Sequence, residues 1–214
     1  MTEKKNEMEW KTELSSEEIK FTKPEVMAKF VSTIDEEGYP HLTFITSNVA
    51  ISAKRIKWGE FTRGKSKGHV VKRPQQGILY MNVAPPFKFL QTKVKMESWS
   101  LEGSDAEDFN KMQLFRYNTY MRVYRVFFND LVAARPLRSI PLMGIVKGVI
   151  ANKLKTYGKT GMPEPRMEKI GIQLFSGGIH PKFLSYIDTD GFPVIIPVFQ
   201  TRVVEGKTIA IPYT

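Results

Sequence analysis

The sequence predicts a mainly β fold with some α-helix (α+β), in the form of a small barrel. Three observations lead to this prediction. Short runs of alternating apolar and polar residues are separated by turn residues, which is typical of antiparallel strands. Only a few helical segments lie between these strands, which favours a barrel over a parallel α/β sheet. A strand-turn-strand segment also occurs twice in the chain.

The elements are predicted in order along the chain. Residues 1–16 form a polar arm, and Ser15 or Ser16 caps a short helix that begins at Glu17 and is interrupted at Pro24. Ser104 and Glu107 fit a capping box, which predicts a helix to about residue 117. Strands are predicted at 27–34, 40–48, 51–58, 77–83, 87–101 and 122–133. Further helices are predicted at 63–71 and 140–154, the second amphipathic and resting on the barrel or on a membrane surface.

An internal repeat is the clearest sign of organisation. Residues 29–40 read KFVSTIDEEGYP and residues 182–193 read KFLSYIDTDGFP, at an offset of 153 residues. A period of this length indicates a duplicated domain. Because only the opening hairpin of the second copy is present, we expect four regions: the arm, a barrel domain with a helical extension at 17–155, a linker at 156–166, and a partial, truncated second barrel repeat at 167–214.

Composition narrows the class of protein. The chain of 214 residues is 42% hydrophobic and 12% aromatic, which suits a packed core. It has no cysteine, no apolar run that could span a bilayer, and no apolar signal segment, so we expect a cytoplasmic protein. The net charge of +10 favours anionic partners, although a solvated basic surface explains it equally well.

Residues 58–69, WGEFTRGKSKGH, combine aromatic, hydroxyl and basic side chains. Arg63, Lys65 and Lys67 can neutralise a phosphate, and Thr62 and Ser66 can donate hydrogen bonds to it. Trp58 and Phe61 could pack beside a planar ring. From residue types alone, a basic loop with a capping serine explains the segment slightly better.

The hairpin and this segment together resemble the FMN-binding split barrels of the pyridoxamine 5'-phosphate oxidase-like family. The resemblance covers roughly residues 17–101 and the hairpin at 180–199. It implies that Ser66 and Lys67 hold the flavin phosphate, with Thr62 and Arg63 as further contacts. It also implies that the second hairpin strand lines the isoalloxazine ring, through His41, Thr43 and Phe44. An arginine-bearing segment that binds pyridoxamine phosphate in the oxidase is not found in this sequence.

The predicted function is therefore that of an FMN-binding flavoprotein, an oxidoreductase acting on an unknown small substrate. The resemblance also implies a homodimer. Related split barrels bind deazaflavin F420 or haem, but FMN is favoured here, and no metal site or catalytic residue is predicted. The alternative is a non-catalytic basic barrel module that binds nucleic acid or another polyanion. Nucleic acid is disfavoured, because the basic residues are spread along the chain and the one dense cluster contains few aromatic residues.

Overall fold

The structure is a computed structural model that describes residues 9–61, 64–82, 84–85, 87–101, 103–116, 122–123, 125–158, 167–176 and 180–211. The chain divides into two compact units. The first contains Met1–Ile140 and Ser185–Ile195, and the second contains Pro141–Leu184 and Ile196–Thr214. Half of the predicted arm and most of the predicted linker lie outside the described residues. The prediction of a mainly β fold with helices is confirmed.

Twelve strands and six helices are described. The strands are β1 (Ala28–Ile34), β2 (Pro40–Phe44), β3 (Val49–Ala50), β4 (Arg55–Glu60), β5 (Gln75–Met81), β6 (Lys88–Leu101), β7 (Arg125–Ala134), β8 (Arg138–Ser139), β9 (Lys182–Ile187), β10 (Pro193–Val198), β11 (Arg202–Val204) and β12 (Thr208–Ala210). The helices are α1 (Ser16–Phe21), α2 (Ser66–Lys72), α3 (Ser104–Lys111), α4 (Gln113–Arg116), α5 (Leu142–Leu154) and α6 (Lys169–Ser176).

The first unit is built on one antiparallel half-barrel sheet of eight strands. Its order is β2-β1-β5-β6-β7-β4-β3, and β8 pairs with β6. The core of this sheet contains Trp58, whose ring stacks on Phe127 at 4.2 Å between centroids. Removing this apolar surface from water stabilises the sheet by about 25 cal/mol for each Å² buried. The end of β2, the end of β4 and the start of α2 lie close together, and several predicted site residues are found there.

Helix boundaries were predicted with mixed success. Ser15 is the N-cap of α1, and its side chain forms a reciprocal capping box with Glu18, so the prediction of a cap at this position is confirmed. The predicted capping box of Ser104 and Glu107 is wrong. Gly103 is the N-cap of α3, and no side chain caps this helix, because Ser104 already has helical geometry and its side chain cannot accept the capping hydrogen bond.

The repeated hairpin turns have the same geometry. Asp35 N–H donates to the Tyr39 carbonyl at 2.9 Å, and Asp188 N–H donates to the Phe192 carbonyl at 2.9 Å. Gly38 and Gly191 have φ of 93° and 80°, a conformation that favours glycine. The two sequence copies therefore fold into the same turn.

In the second unit, α5 turns its small and polar residues inward. Gly148 and Asn152 are buried, and Asn152 donates to the Gln200 carbonyl at 3.1 Å. The exposed side of the helix carries Leu142, Met143, Val146, Ile150 and Leu154. Among the described residues, no helix is both long enough and apolar enough to cross a membrane.

Candidate functional site

A small cavity of about 80 Å³ lies in the first unit where β2, β4 and α2 meet. Its lining comes from the end of β2, the end of β4, and the segment that leads into α2. The lining residues are Thr43, Phe44, Ile45, Trp58, Gly59, Glu60, Phe61, Gly64, Ser66 and Lys67. This volume is small beside that of a pocket that encloses a whole cofactor.

Two hydroxyl groups meet at this cavity from separate parts of the sequence. Thr43 lies on β2, and Ser66 is the first residue of α2. Their oxygens are 2.7 Å apart, and either hydroxyl can be the donor. Ser66 is buried, whereas Thr43 is half-buried. Because each hydroxyl can both donate and accept, the pair retains hydrogen-bonding capacity for a third group.

A buried carboxylate lies beside the hydroxyl pair. Glu60 ends β4, and its side chain is only 4% exposed. Lys67 Nζ lies 3.1 Å from one carboxylate oxygen, and Arg125 Nε lies 3.6 Å from the other. Within the described part of the chain, neither oxygen accepts a hydrogen bond of good geometry. The two cations therefore compensate one buried negative charge, and the cluster carries one net positive charge.

Arg125 is held in place by aromatic rings. Its guanidinium lies 4.6 Å from the Trp99 ring centroid and 5.9 Å from that of Phe127. Cation–π contacts of this kind fix the orientation of the planar guanidinium. Lys67 lines the cavity, and its side chain is 32% exposed, against 23% for Arg125. Of the two cations, Lys67 is the one that can turn toward a ligand.

His41 lies next to the cavity on the same face of β2 as Thr43. Its ring contacts the ring of His69 at 5.0 Å between centroids, and His69 Nδ1 is 3.2 Å from the Thr33 hydroxyl. Burial lowers the pKa of His41 below its usual value, and electrostatic interaction with His69 and Lys65 lowers this pKa further. His41 is therefore neutral at pH 7.

The structure brings together six of the ten predicted site residues. The cavity is lined by Thr43, Phe44, Trp58, Phe61, Ser66 and Lys67. The indole of Trp58, however, is buried in the core and donates to Gln76 at 3.0 Å, so it is not free to pack beside a ligand ring. Lys65 is exposed and His41 contacts α2, and neither residue lines the cavity. Thr62 and Arg63 lie outside the described residues.

Sequence reasoning missed two charged residues of the site: Glu60, which pairs with Lys67, and Arg125, which pairs with Glu60. Glu60 lies inside the segment that was singled out, but a carboxylate is not an expected neighbour of a phosphate. Arg125 is far away in sequence and reaches the site because β4 pairs with β7 in a register that places Glu60 opposite Arg125. The sequence contains no local signal for this pairing.

The donor set at the cavity suits a phosphate group. Two hydroxyls and one ammonium group are side chains that commonly bind phosphate. Among the described residues, no group of three or more histidines and carboxylates could hold a metal ion.

Comparisons with known proteins give distant similarities in structure. No protein-family model and no curated protein sequence matches this chain. An FMN-binding protein from Syntrophomonas wolfei is 14% identical, with a TM-score of 0.46 over 57% of this chain and 84% of that chain. A protein from Lactobacillus delbrueckii, provisionally assigned as a pyridoxamine 5'-phosphate oxidase, is 13% identical, with a TM-score of 0.46 over 59% and 96% of the two chains.

An F420 reductase is 10% identical, with a TM-score of 0.41 over 51% of this chain and 89% of that chain. All three similarities have TM-scores below 0.5 and identities of 10–14%. At such low identities they concern the fold alone. The function is therefore argued from the cavity itself.

Proposed function

We propose that this chain is an FMN-binding flavoprotein that holds the cofactor's phosphate at the cavity between β2, β4 and α2. The observation that supports this proposal is the convergence of Thr43, Ser66 and Lys67 on one small cavity. The sequence segments that carry Thr43 and Ser66 are 23 residues apart, and their hydroxyls lie in hydrogen-bonding contact.

The size of the cavity restricts which part of FMN it can hold. A space of about 80 Å³ accommodates a phosphate group, and the remainder of the cofactor has to lie outside it. Phe44 is 54% exposed and lines the cavity, so it offers aromatic surface next to the phosphate site. An exposed aromatic ring at this place suits the planar ring system of a flavin.

Glu60 affects the net charge of the site and therefore its affinity for an anion. Its carboxylate pairs with Lys67 when no anion is bound, and Arg125 approaches it from the other side. Lys67 can turn toward a phosphate while Arg125 continues to compensate Glu60. A buried carboxylate next to an anion site weakens binding, so Glu60 limits the affinity for phosphate.

When bound, FMN would supply hydride or electron transfer, and the chain would act as an oxidoreductase on a small substrate. The residues of this chain have binding roles. The hydroxyls of Thr43 and Ser66 donate hydrogen bonds to phosphate oxygens, and the ammonium group of Lys67 neutralises their charge. Neutral His41 adds no charge beside the site. We assign no residue to proton transfer.

The proposal is tested by titrating the protein with FMN and following the quenching of flavin fluorescence. The double variant Ser66→Ala/Lys67→Ala should weaken FMN binding by roughly 10- to 100-fold, because charge-assisted hydrogen bonds contribute about 1.5–3 kcal/mol. Lys65→Ala is the matched control, since Lys65 is an exposed neighbour that does not line the cavity, and it should leave the affinity nearly unchanged.

Two outcomes would contradict the proposal. If the folded double variant bound FMN as tightly as the wild type, the phosphate would be held elsewhere. If the wild type bound no flavin but bound oligonucleotides in a salt-dependent manner, the alternative of a basic polyanion-binding module would be supported.

A further inference from the structure

A second cavity lies in the second unit, where the end of α5, the end of α6 and β11 meet. Its volume is about 250 Å³, against about 80 Å³ for the cavity in the first unit. Small-molecule sites usually have volumes of roughly 300–1,000 Å³, so this cavity lies near the lower end of that range. None of the residues of the proposed flavin site lines it.

The lining of this second cavity is basic on one part and apolar on another. Lys153 on α5 and Arg202 on β11 each contribute a positive charge, and none of the described lining residues is acidic. Val149 and Val203 add apolar walls. Cations without a carboxylate among them attract an anion, and the valines favour a ligand that also has an apolar part.

Arg202 offsets the repulsion that the end of α5 would exert on an anion. The carbonyls at the C-terminal end of a helix carry a partial negative charge of about half an elementary charge. The Nη1 atom of this arginine donates to the carbonyls of Asn152, Lys153 and Lys155, at 3.1, 3.0 and 2.8 Å. Its guanidinium also lies 5.7 Å from the centroid of the Tyr157 ring. The full charge of Arg202 exceeds the partial charge of the helix end, so this corner of the cavity stays positive.

Some polar groups of the lining are held by the fold, and others are available to a ligand. Thr201 is buried, and its hydroxyl donates to the Phe175 carbonyl at 2.5 Å. By contrast, neither the ammonium group of Lys153 nor the hydroxyl of Ser176 makes a hydrogen bond or an ion pair with another described residue. Lys153 and Ser176 can therefore bind an acidic group without breaking an existing contact.

We propose that this cavity binds a small organic anion, in which one phosphate or carboxylate group is attached to an apolar body. Lys153 and Ser176 contact the acidic group, one as a cation and the other as a hydrogen-bond donor. Arg202 remains on the end of α5 and adds its positive potential. Val149 and Val203 contact the apolar body. Because these residues all belong to the second unit, binding here does not depend on the flavin site.

The first experiment titrates the isotope-labelled chain with phenyl phosphate and follows the chemical shifts of the backbone amides. We expect saturable shifts at Ser176, Thr201 and Val203. Shifts at Thr43 and Ser66 would report separately on the first cavity, so the two sites are distinguished by position. Benzoate should shift the same amides of the second unit, because it combines a carboxylate with the same apolar ring.

Two further probes each supply one half of phenyl phosphate. Inorganic phosphate has the acidic group alone, and benzyl alcohol has the aromatic ring without a charge. Each should bind to the second cavity at least about tenfold more weakly than phenyl phosphate, because it lacks the contacts of the other half.

The second experiment changes the charge of α5. Lys153→Gln should weaken the binding of phenyl phosphate about fivefold, the effect of one exposed ion pair, and Lys153→Glu should weaken it further by bringing in a carboxylate. Lys147→Gln is the matched control, since Lys147 is an exposed lysine of the same helix that does not line the cavity. It should leave the affinity unchanged. Thermal denaturation checks that each variant is folded.

Three results would overturn the proposal. The first is the absence of saturable shifts at Ser176, Thr201 and Val203 with both phenyl phosphate and benzoate. The second is binding of inorganic phosphate or of benzyl alcohol that is as tight as that of phenyl phosphate. The third is an equal loss of affinity in Lys147→Gln and Lys153→Gln, which would indicate a general attraction to a chain with a net charge of +10.

Discussion

The two hairpins of this chain have similar sequences and the same turn, yet they have different surroundings. The first hairpin, β1 and β2, lies within the large sheet, and one of its faces packs against α2, where Thr33 contacts His69 and Thr43 contacts Ser66. The residues Ser185–Ile195 of the second hairpin instead pack on the large sheet of the first unit through Ser32 and Lys93. One sequence pattern thus builds a candidate cofactor site in its first copy and a docking element in its second.

The difference lies in the segment that comes after each hairpin and in the residues that the hairpin meets. The first hairpin is succeeded by β4 and the segment 58–69, which supply Glu60, Ser66 and Lys67 to the cavity. The acidic residues of the second turn meet a buried lysine, which lowers the pKa of Asp188 through a hydrogen bond from Lys93. A repeated strand-turn-strand motif therefore specifies a scaffold, and its neighbours decide what the scaffold does.

The largest effect on stability is expected at Gly77, where the second hairpin approaches the sheet most closely. Gly77→Ala places a methyl group 2.1 Å from the Pro193 carbonyl oxygen, a backbone atom that cannot rotate away. We expect a loss of about 3 kcal/mol in the free energy of unfolding, at the upper end for overpacking. Urea denaturation measures this loss in the free energy of unfolding. An unchanged midpoint would show that the second hairpin does not pack against Gly77 as described.

A somewhat smaller effect should distinguish the acidic residues of the two turns. Asp188→Asn/Asp190→Asn leaves the ammonium group of Lys93 buried without a counter-charge, which should cost about 2 kcal/mol after allowance for the partial exposure of the aspartates. The equivalent variant in the first turn, Asp35→Asn/Glu37→Gln, should cost well under about 1 kcal/mol, since its side chains are solvated. The denaturation midpoints of the two variants measure the two losses of stability. Equal losses would contradict the pairing of Lys93 with Asp188 and Asp190.

Lys29 and Lys182, the first residues of the two copies of the repeat, should differ in their effect on how the free energy of unfolding depends on pH. Lys29 donates to the carbonyls of Thr22 and Asn48, and burial lowers its pKa to about 8. Between pH 8 and the ordinary value of 10.5, the unfolded chain holds this proton and the folded chain does not, so stability from this group rises with pH.

Lys29→Met should abolish that rise. Burial also lowers the pKa of Lys182, the equivalent lysine, which is more exposed, so Lys182→Met should change the pH dependence less. Chemical denaturation across this pH range measures both variants. A rise that persists in Lys29→Met would show that another group causes it.

The smallest effect is a stabilisation at Gly68 in α2. A Cβ atom at this position meets no atom within 4 Å, so alanine fits without strain. We expect Gly68→Ala to raise the free energy of unfolding by about 0.4–1 kcal/mol, because alanine restricts the unfolded chain more than glycine does. Thermal denaturation measures this stabilisation, and the midpoint should rise. A fall in the midpoint would mean that α2 packs differently.

The sequence predicted the strands of the hairpins and of the central sheet because alternating apolar and polar residues, and the Gly-Tyr-Pro and Gly-Phe-Pro turns, are local signals. It predicted β1 over residues 27–34, and the strand is Ala28–Ile34. It predicted the third strand at residues 51–58, but the structure has β4 at Arg55–Glu60. The pairing of β4 with β7 sets this boundary, and the sequence around β4 contains no signal for that pairing.

At the site, residue types in one segment were enough to single out Ser66 and Lys67. They were not enough to show that Trp58 turns its indole into the core, where it bonds to Gln76. The distant partners of Glu60 and Lys93 could not be predicted either. Glu60 meets Arg125 and Lys93 meets Asp188 across long sequence separations, so only the folded sheet brings these charges together.

The central claim is that the first hairpin and α2 hold the phosphate of FMN. The most direct test compares the affinities of FMN and riboflavin, which lacks the phosphate, for the wild type and for Ser66→Ala/Lys67→Ala. We predict that the wild type prefers FMN by roughly 10- to 100-fold and that the double variant binds the two flavins almost equally. A wild type without preference for FMN, or a double variant that keeps the preference, would contradict the claim.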